Sequence, residues 1–596
     1  MAAFIALLAW ALGRQLLTLR GEDPLLRESA RLVVGLAVIG TGLFGLGVVG
    51  WLRPLPLLLA AIGLAAIALA PIAFGRRTDR SSVKTPRRPA AWLIALGGAG
   101  SAVLALYPAT AFDVTLYHLP YVRAFADAGS LVVVPQLRYP IFPQLLELLA
   151  VPLYLVAGET ATSLLSTLGL LAVAAGLLGL LRRSRAGYFA AALWLGSPLA
   201  MRLGGQLMVE ITLTAFIFFG LVGVWRLLRV NVPQSNDEAT ARRDWAILAG
   251  VCLGAAAACK YLGLFFLAVP PLLLLGRRGR SALPWLVLCA LLVAGPWYAR
   301  LTIVTGNPVF PFFESVFGTS IYSQEEAPVT VQFKTPDEAI EEGTDLPAMV
   351  ASLVLGGRRA SRAPPFNPWL LVGAFAALAL RPTRSQVVFG LPLVLYALIW
   401  PFLPRDPRFL LPVLPWLAIV GGAAFDRLVP AARMRPQPTR VDRSTVLIAL
   451  GLLLPGLLYG ILLVWRLGPT PLDDRAQQRY RTIHLPGYPT LQVWRQLDAS
   501  DAGRIYLLGR ENLQYFGDGQ AVGDHFGPLP ARRVIDALRT PCHLADLLRA
   551  QQIEYLLVAG YRSTDGFEPC LEPLEAPPPD TLWRVPDRSP GDMIGR

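Results

Sequence analysis

Apolar runs that approach the roughly 20 residues needed to cross a bilayer recur from the first residues to about position 466. They are separated by short polar stretches. The pattern predicts helical crossings at roughly 3–19, 32–50, 54–74, 91–107, 160–181, 187–203, 206–225, 245–259, 261–276, 283–303, 367–381, 386–403, 409–428 and 445–466. That is a mostly α, polytopic membrane protein with about 13–14 spans. Beyond about 467 the pattern changes to short strand-like runs, Arg504–Gly509, Ile553–Val558 and Thr581–Val585. Helical stretches at 531–538 and 543–552 lie between the first two runs, and this alternation predicts a small α/β domain.

The expected organisation is therefore threefold: an N-terminal transmembrane block (1–107), a transmembrane region with external loops 108–140 and 304–366 (108–467), and a soluble C-terminal domain (468–596). Composition supports the membrane reading. The 596 residues are 54% hydrophobic and 16% charged, with mean hydropathy +0.50, outside the soluble globular range. The net charge of +14 does not mark a nucleic-acid surface, because the cations gather in alternate loops. One holds Arg76, Arg77, Arg80, Lys84, Arg87 and Arg88; others hold Arg182, Arg183 and Arg185, then Arg277, Arg278 and Arg280. This is the positive-inside pattern. It puts the Asp113 loop, the 304–366 loop, the turn at 404–408 and the C-terminal domain on the extracytoplasmic side of a bacterial-type plasma membrane. The segment 141–157 would break that parity if it crossed and is expected to be a juxtamembrane or partly inserted helix; 3–19 is a candidate interfacial helix. The first residues lack the basic stretch of a cleavable signal.

Five cysteines are present. Cys252, Cys259 and Cys289 fall in spans as small apolar fillers. Cys542 and Cys570 fall in the C-terminal domain, where an oxidising compartment would allow them to pair. No CxxC or zinc-type spacing occurs.

Candidate chemistry lies where polar groups interrupt apolar sequence. Asp113 follows the 91–107 span and opens a stretch, 113–126, with the rhythm of an amphipathic surface helix. A carboxylate there is either a helix N-cap or a general base. Tyr117 and His118 follow one turn later as candidate substrate contacts. Glu210 sits just inside a span, where an acid is expensive unless paired or functional. Lys260 interrupts Ala257-Ala258-Cys259-Lys260-Tyr261; it either snorkels to the surface or grips a phosphate. Arg300 and the turn Pro404-Arg405-Asp406-Pro407-Arg408 add positive charge on the same side, where it would stabilise a departing anion.

These pieces, taken together, resemble the C-type (GT-C) superfamily of integral-membrane glycosyltransferases. The resemblance is strongest to its bacterial polyprenyl-phosphate-sugar-dependent branch, related to the protein mannosyltransferases and the lipid A aminoarabinose transferase. The matching stretches are Phe112-Asp113-Val114-Thr115-Leu116-Tyr117-His118-Leu119-Pro120, Tyr139-Pro140-Ile141-Phe142-Pro143-Gln144, Cys259-Lys260-Tyr261, Pro296-Trp297-Tyr298-Ala299-Arg300, Gly306-Asn307-Pro308 and Pro407-Arg408-Phe409-Leu410-Leu411-Pro412. The resemblance implies Asp113 as the catalytic carboxylate, with Tyr117, His118, Glu210, Lys260, Tyr261, Arg300 and Arg408 binding substrate. Val114 stands where relatives often have a second acid, so a divalent metal is left open and no other cofactor is implied. Three or four spans precede the Asp113 loop, where better-known members have one.

The function implied is inverting transfer of a sugar from a polyprenyl-phosphate donor to a glycan, lipid or protein acceptor at the external face. Two other classes share the same features: a lipid or anion transporter or flippase, and an O-antigen-type ligase or polymerase. No inverted pair of broken spans of the transporter kind is visible, and no nucleotide-binding fingerprint is present.

Overall fold

A computed structural model describes residues 2–73, 88–135, 137, 139–229, 235–276, 279–318, 353, 364–402, 406–429, 442–497, 503–523 and 531–586. The basic stretch around Arg76–Lys84 and most of the expected 304–366 loop lie outside them. Six helices among the described residues are long and apolar enough to cross a membrane: Pro24–Val48, Leu145–Thr162, Val209–Arg229, Arg280–Thr305, Pro407–Leu428 and Arg443–Leu467. Shorter apolar helices, among them Ala2–Leu16, Leu164–Leu180, Pro368–Ala379 and Arg384–Ile399, occupy other stretches of the predicted ladder. The protein is a mostly helical integral membrane protein with a small C-terminal α/β sheet.

Two segments qualify the expected ladder. The segment expected to be juxtamembrane or partly inserted is the apolar helix Leu145–Thr162, which is kinked at Gly158 (φ 72°). The expected crossing 187–203 is two helices, Arg185–Leu195 and Pro198–Gly204. Proline lacks an N–H and disfavours the helical region for the residue before it, so Ser197-Pro198 breaks the run.

The chain gathers into two compact units. The first comprises Met1–Leu106, Pro143–Trp297 and Pro336–Thr470. Its helices approach closely through small residues, as expected where lipid removes the hydrophobic incentive to associate. A Cβ on Gly13 would lie 1.9 Å from the Arg31 carbonyl oxygen, and one on Gly35 would lie 1.7 Å from that of Ala9. Helices Ala2–Leu16 and Pro24–Val48 therefore pack backbone to backbone. The turn between them is pinned by Asp244, whose carboxylate accepts from the Thr18 and Leu19 amides at 2.8 and 3.1 Å. Buried polar groups are spent on similar ties. The Asn367 side-chain amide donates to the Leu452 and Leu193 carbonyls at 2.8 and 3.2 Å, and the Trp194 indole donates to Leu170 at 3.0 Å.

The second unit comprises Tyr107–Phe142, Tyr298–Thr335 and Pro471–Arg596. Its centre is a five-stranded sheet of β1 (Arg504–Leu508), β2 (Ala521–Val522), β3 (Ile553–Val558), β4 (Glu572–Leu574) and β5 (Thr581–Arg584), in the order β2-β1-β3-β5-β4. β1 pairs in parallel with β2 and β3, and β5 is antiparallel to β3 and β4. The strand period of two sends side chains to both faces. Tyr506, Leu508, Leu556 and Val558 pack with Leu544 and Leu548 of helix Pro541–Ala550. Ile505, Leu507, Tyr555 and Leu557 pack with Leu491 and Trp494 of helix Tyr488–Leu497. Burial on both faces explains why these strands read as continuous apolar runs. Cys542 and Cys570 form a disulfide, the pairing that the sequence allowed. The α/β alternation is as expected; β2 and β4, of two and three residues, are too short for a pattern to reveal.

Candidate active site

Asp113 stands at the head of a π-helical turn, Val114–His118, that runs into helix Leu119–Ala128. The turn is closed by the Leu119 amide bonding to the Val114 carbonyl, five residues back. Pro120 has no N–H with which to continue an ordinary ladder, and a π-turn accommodates the missing bond. Such turns are rare and concentrate at functional positions. The helix ends at Gly129, whose φ of 66° supplies a left-handed cap.

The N-cap reading of Asp113 is not realised. Its backbone is already helical (φ −65°, ψ −32°) and its side chain makes no capping bond. The half-buried carboxylate instead accepts from the Tyr117 hydroxyl at 3.2 Å. Tyr117 is buried, and its ring lies 4.2 Å from that of His118 and edge-on to those of Tyr139 and Phe142 at 5.0 and 5.8 Å. Tyr121 also stacks edge-on with Phe142, at 5.6 Å. This aromatic packing restricts the Tyr117 ring and so orients its hydroxyl on Asp113. His118 is buried beside it.

Arg300 lies on the last turns of helix Leu283–Thr305, where its guanidinium donates to the Val132 carbonyl at 2.8 Å. It braces the backbone that follows the Asp113 helix, within the second unit.

Glu210, Lys260 and Arg408 converge in the first unit. Glu210 lies in the first turn of helix Val209–Arg229, where the helix dipole favours an acid. It is only 2% exposed. Lys260 caps the end of helix Asn236–Cys259 in extended conformation, and its ammonium donates to Glu210 Oε1 at 2.8 Å. Gly263 follows because a Cβ there would meet the Ala256 carbonyl oxygen at 2.1 Å. Arg408 lies in the 3-10 turn Pro407–Val413, with its Nε 3.9 Å from Glu210 Oε1 and 3.1 Å from Asp406 Oδ2. Both cations face the Phe409 ring, at 4.4 Å for Lys260 Nζ and 5.1 Å for Arg408 Cζ. Tyr396 holds that residue by donating to its carbonyl at 2.7 Å. Two acids and two bases thus form one charge-balanced cluster. Tyr261, half-buried, opens helix Leu262–Leu272 next to it in sequence.

The structure therefore brings together Asp113 with Tyr117 and His118 in one unit, and Glu210 with Lys260 and Arg408 in the other. Three contributions escape a sequence reading. Asp406 partly neutralises a turn that reads as purely basic. Glu147 and Gln144, both fully buried at the start of helix Leu145–Thr162, are polar groups in a span, and an acid interrupting Leu145-Leu146-Glu147-Leu148-Leu149 is the signal that could have marked them. The aromatic nest of Tyr139 and Phe142 arises from a segment more than twenty residues away from Asp113. Among the described residues, no group of three or more His, Cys, Asp or Glu side chains comes together as a metal site.

Comparison with known proteins finds likeness in part of the sequence and in the fold. Residues 133–313 match the dolichyl-phosphate-mannose-protein mannosyltransferase (PMT) family. ArnT from Cupriavidus metallidurans in the apo state superposes with a TM-score of 0.51 at 16% identity, over 83% of this chain and 98% of that one. The chain is thus PMT-like in sequence over 133–313, and its fold is ArnT-like. ArnT bound to undecaprenyl phosphate gives 0.47 at 15% identity, over 83% and 98% of the two chains. The arabinofuranosyltransferase AftD from mycobacteria gives 0.46 at 19% identity, over 84% of this chain and 42% of that one. Residues 477–569 also match the SF2091/S2213 family. No curated protein sequence matches the chain significantly.

Proposed function

We propose that the protein transfers a sugar, with inversion, from a polyprenyl-phosphate donor to a hydroxyl or amine acceptor at the extracytoplasmic membrane face, with Asp113 as general base. The observation that carries this reading is the Asp113–Tyr117 pair: a half-buried carboxylate at the head of a π-turn that accepts from the Tyr117 hydroxyl at 3.2 Å. The donor class is supported by the PMT match, whose family name specifies a lipid-phosphate-linked sugar.

The step balances simply. The acceptor's proton passes to the Asp113 carboxylate as its oxygen or nitrogen bonds to the anomeric carbon. The bond from that carbon to the phosphate oxygen breaks on the opposite face, and the polyprenyl phosphate departs with the electron pair. Lys260 and Arg408 are the groups proposed to meet the phosphate. Glu210 and Asp406 offset their charge, and the Phe409 ring helps hold both cations. Arg300 is proposed to act through the backbone it braces.

The test is purified protein in liposomes with a radiolabelled polyprenyl-phosphate sugar and a mixture of glycan, lipid and peptide acceptors. Asp113→Asn is expected to abolish transfer while retaining donor binding. Movement of the lipid across the vesicle without transfer would establish a flippase, and polymerised product a ligase or polymerase. Near-wild-type turnover by Asp113→Asn would remove Asp113 from the chemistry.

A further inference from the structure

The C-terminal sequence packs directly on the segment that carries Asp113. The 3-10 turn Glu511–Gly517, which follows β1, lies along the π-turn Val114–His118 and the helix after it, all within the second unit. The joint has one polar hub. Arg123, on the helix that follows the π-turn, donates to the Tyr515 carbonyl at 3.3 Å and to Asp518 Oδ1 at 2.5 Å. The other oxygen of Asp518 accepts from Arg495, on helix Tyr488–Leu497. Asp518 has a φ of 48°, a left-handed conformation that few side chains adopt without a local reason. One carboxylate thus joins two guanidiniums from parts of the chain more than 350 residues apart.

An exposed ion pair contributes little to stability. Two arginines sharing one carboxylate, with a further bond to backbone, instead set geometry, because a fork of fixed donors restricts orientation as well as distance. A π-turn has fewer ordinary helical bonds to hold it, so its orientation depends on what packs against it. We infer that Asp518 and Arg123 are positioning residues for the reaction: the soluble domain uses this bridge to fix the π-turn, and through it the direction in which Asp113 faces the acceptor. The inference rests on the proposed role of Asp113. It gives the C-terminal domain a task in turnover that requires no catalytic group of its own.

The experiment uses the full-length protein in liposomes, comparing Arg123→Gln, Asp518→Ala and the conservative Arg123→Lys with the parent. Transfer kinetics are paired with amide hydrogen exchange over residues 114–122 and with thermal unfolding. The expected result is a fall in kcat of about tenfold for Arg123→Gln and Asp518→Ala, with the donor KM within twofold. Exchange at 114–122 should rise, the melting temperature should stay near that of the parent, and Arg123→Lys should recover most of kcat. Unchanged kcat and unchanged exchange in both disrupted variants would overturn the inference. So would a loss confined to KM, or an Arg123→Lys protein no better than Arg123→Gln. Asp113→Asn in the same series separates the two ideas. If it is inactive while the bridge variants match the parent, only the bridge fails; if it is active, the proposed base fails.

Discussion

Asp113 and Glu210 are both carboxylates at the head of a helical element, and the protein treats them oppositely. Asp113 is half-buried and receives a neutral hydroxyl, that of Tyr117. Glu210 is almost wholly buried and receives Lys260 at 2.8 Å with Arg408 behind it at 3.9 Å. Glu210 thus meets two cations, where Asp113 meets a hydroxyl. Burial alone would nominate Glu210 as the functional acid; the proposed base is instead Asp113, and Glu210 balances the charge of Lys260 and Arg408.

The contrast can be broken most sharply at Asp113. Asp113→Asn should lower turnover by about 10²–10⁴, the usual share of a general base, with no change in thermal unfolding; a parallel loss of stability would make Asp113 structural. Next comes Glu210→Ala. Removing one partner of a buried ion pair typically costs about 3–5 kcal/mol, so detergent-solubilised protein should unfold at markedly lower temperature. A variant as stable as the parent would show that Lys260 and Arg408 do not depend on that carboxylate.

Tyr117→Phe removes one hydrogen bond to a charged group, worth about 1.5–3 kcal/mol. It should slow transfer roughly tenfold or more while leaving the fold intact, and an unaltered rate would mean that the hydroxyl does not orient Asp113. The smallest effect is expected at Phe409→Leu. Losing the ring face beside Lys260 should weaken donor binding by about 0.5–2 kcal/mol, read as a raised KM with kcat preserved.

Much of this architecture was legible along the chain because membranes write their constraints locally. A span must be long and apolar whatever its neighbours, so the ladder and the change of texture near 467 follow from composition. The strands β1, β3 and β5 were equally plain, since burial on both faces leaves continuous apolar runs. Helix interruptions were harder: Ser197-Pro198 carries a readable break, whereas the reading of 141–157 rests on parity of loop charge, a non-local argument, set against its own apolar length. The site was legible only as a set of unusual residues. Asp113, Glu210 and Lys260 stand out because each interrupts apolar sequence.

What the sequence by itself determined, then, is where polar groups are costly and hence where chemistry or pairing must occur. Which of the two occurs was decided by tertiary structure. Glu210 meets Lys260 fifty residues on, Tyr117 is enclosed by Tyr139 and Phe142, and Arg123 finds Asp518 across 395 positions. The fate of a charge depends on the few ångströms around it, and those few ångströms are filled by residues that only folding brings near.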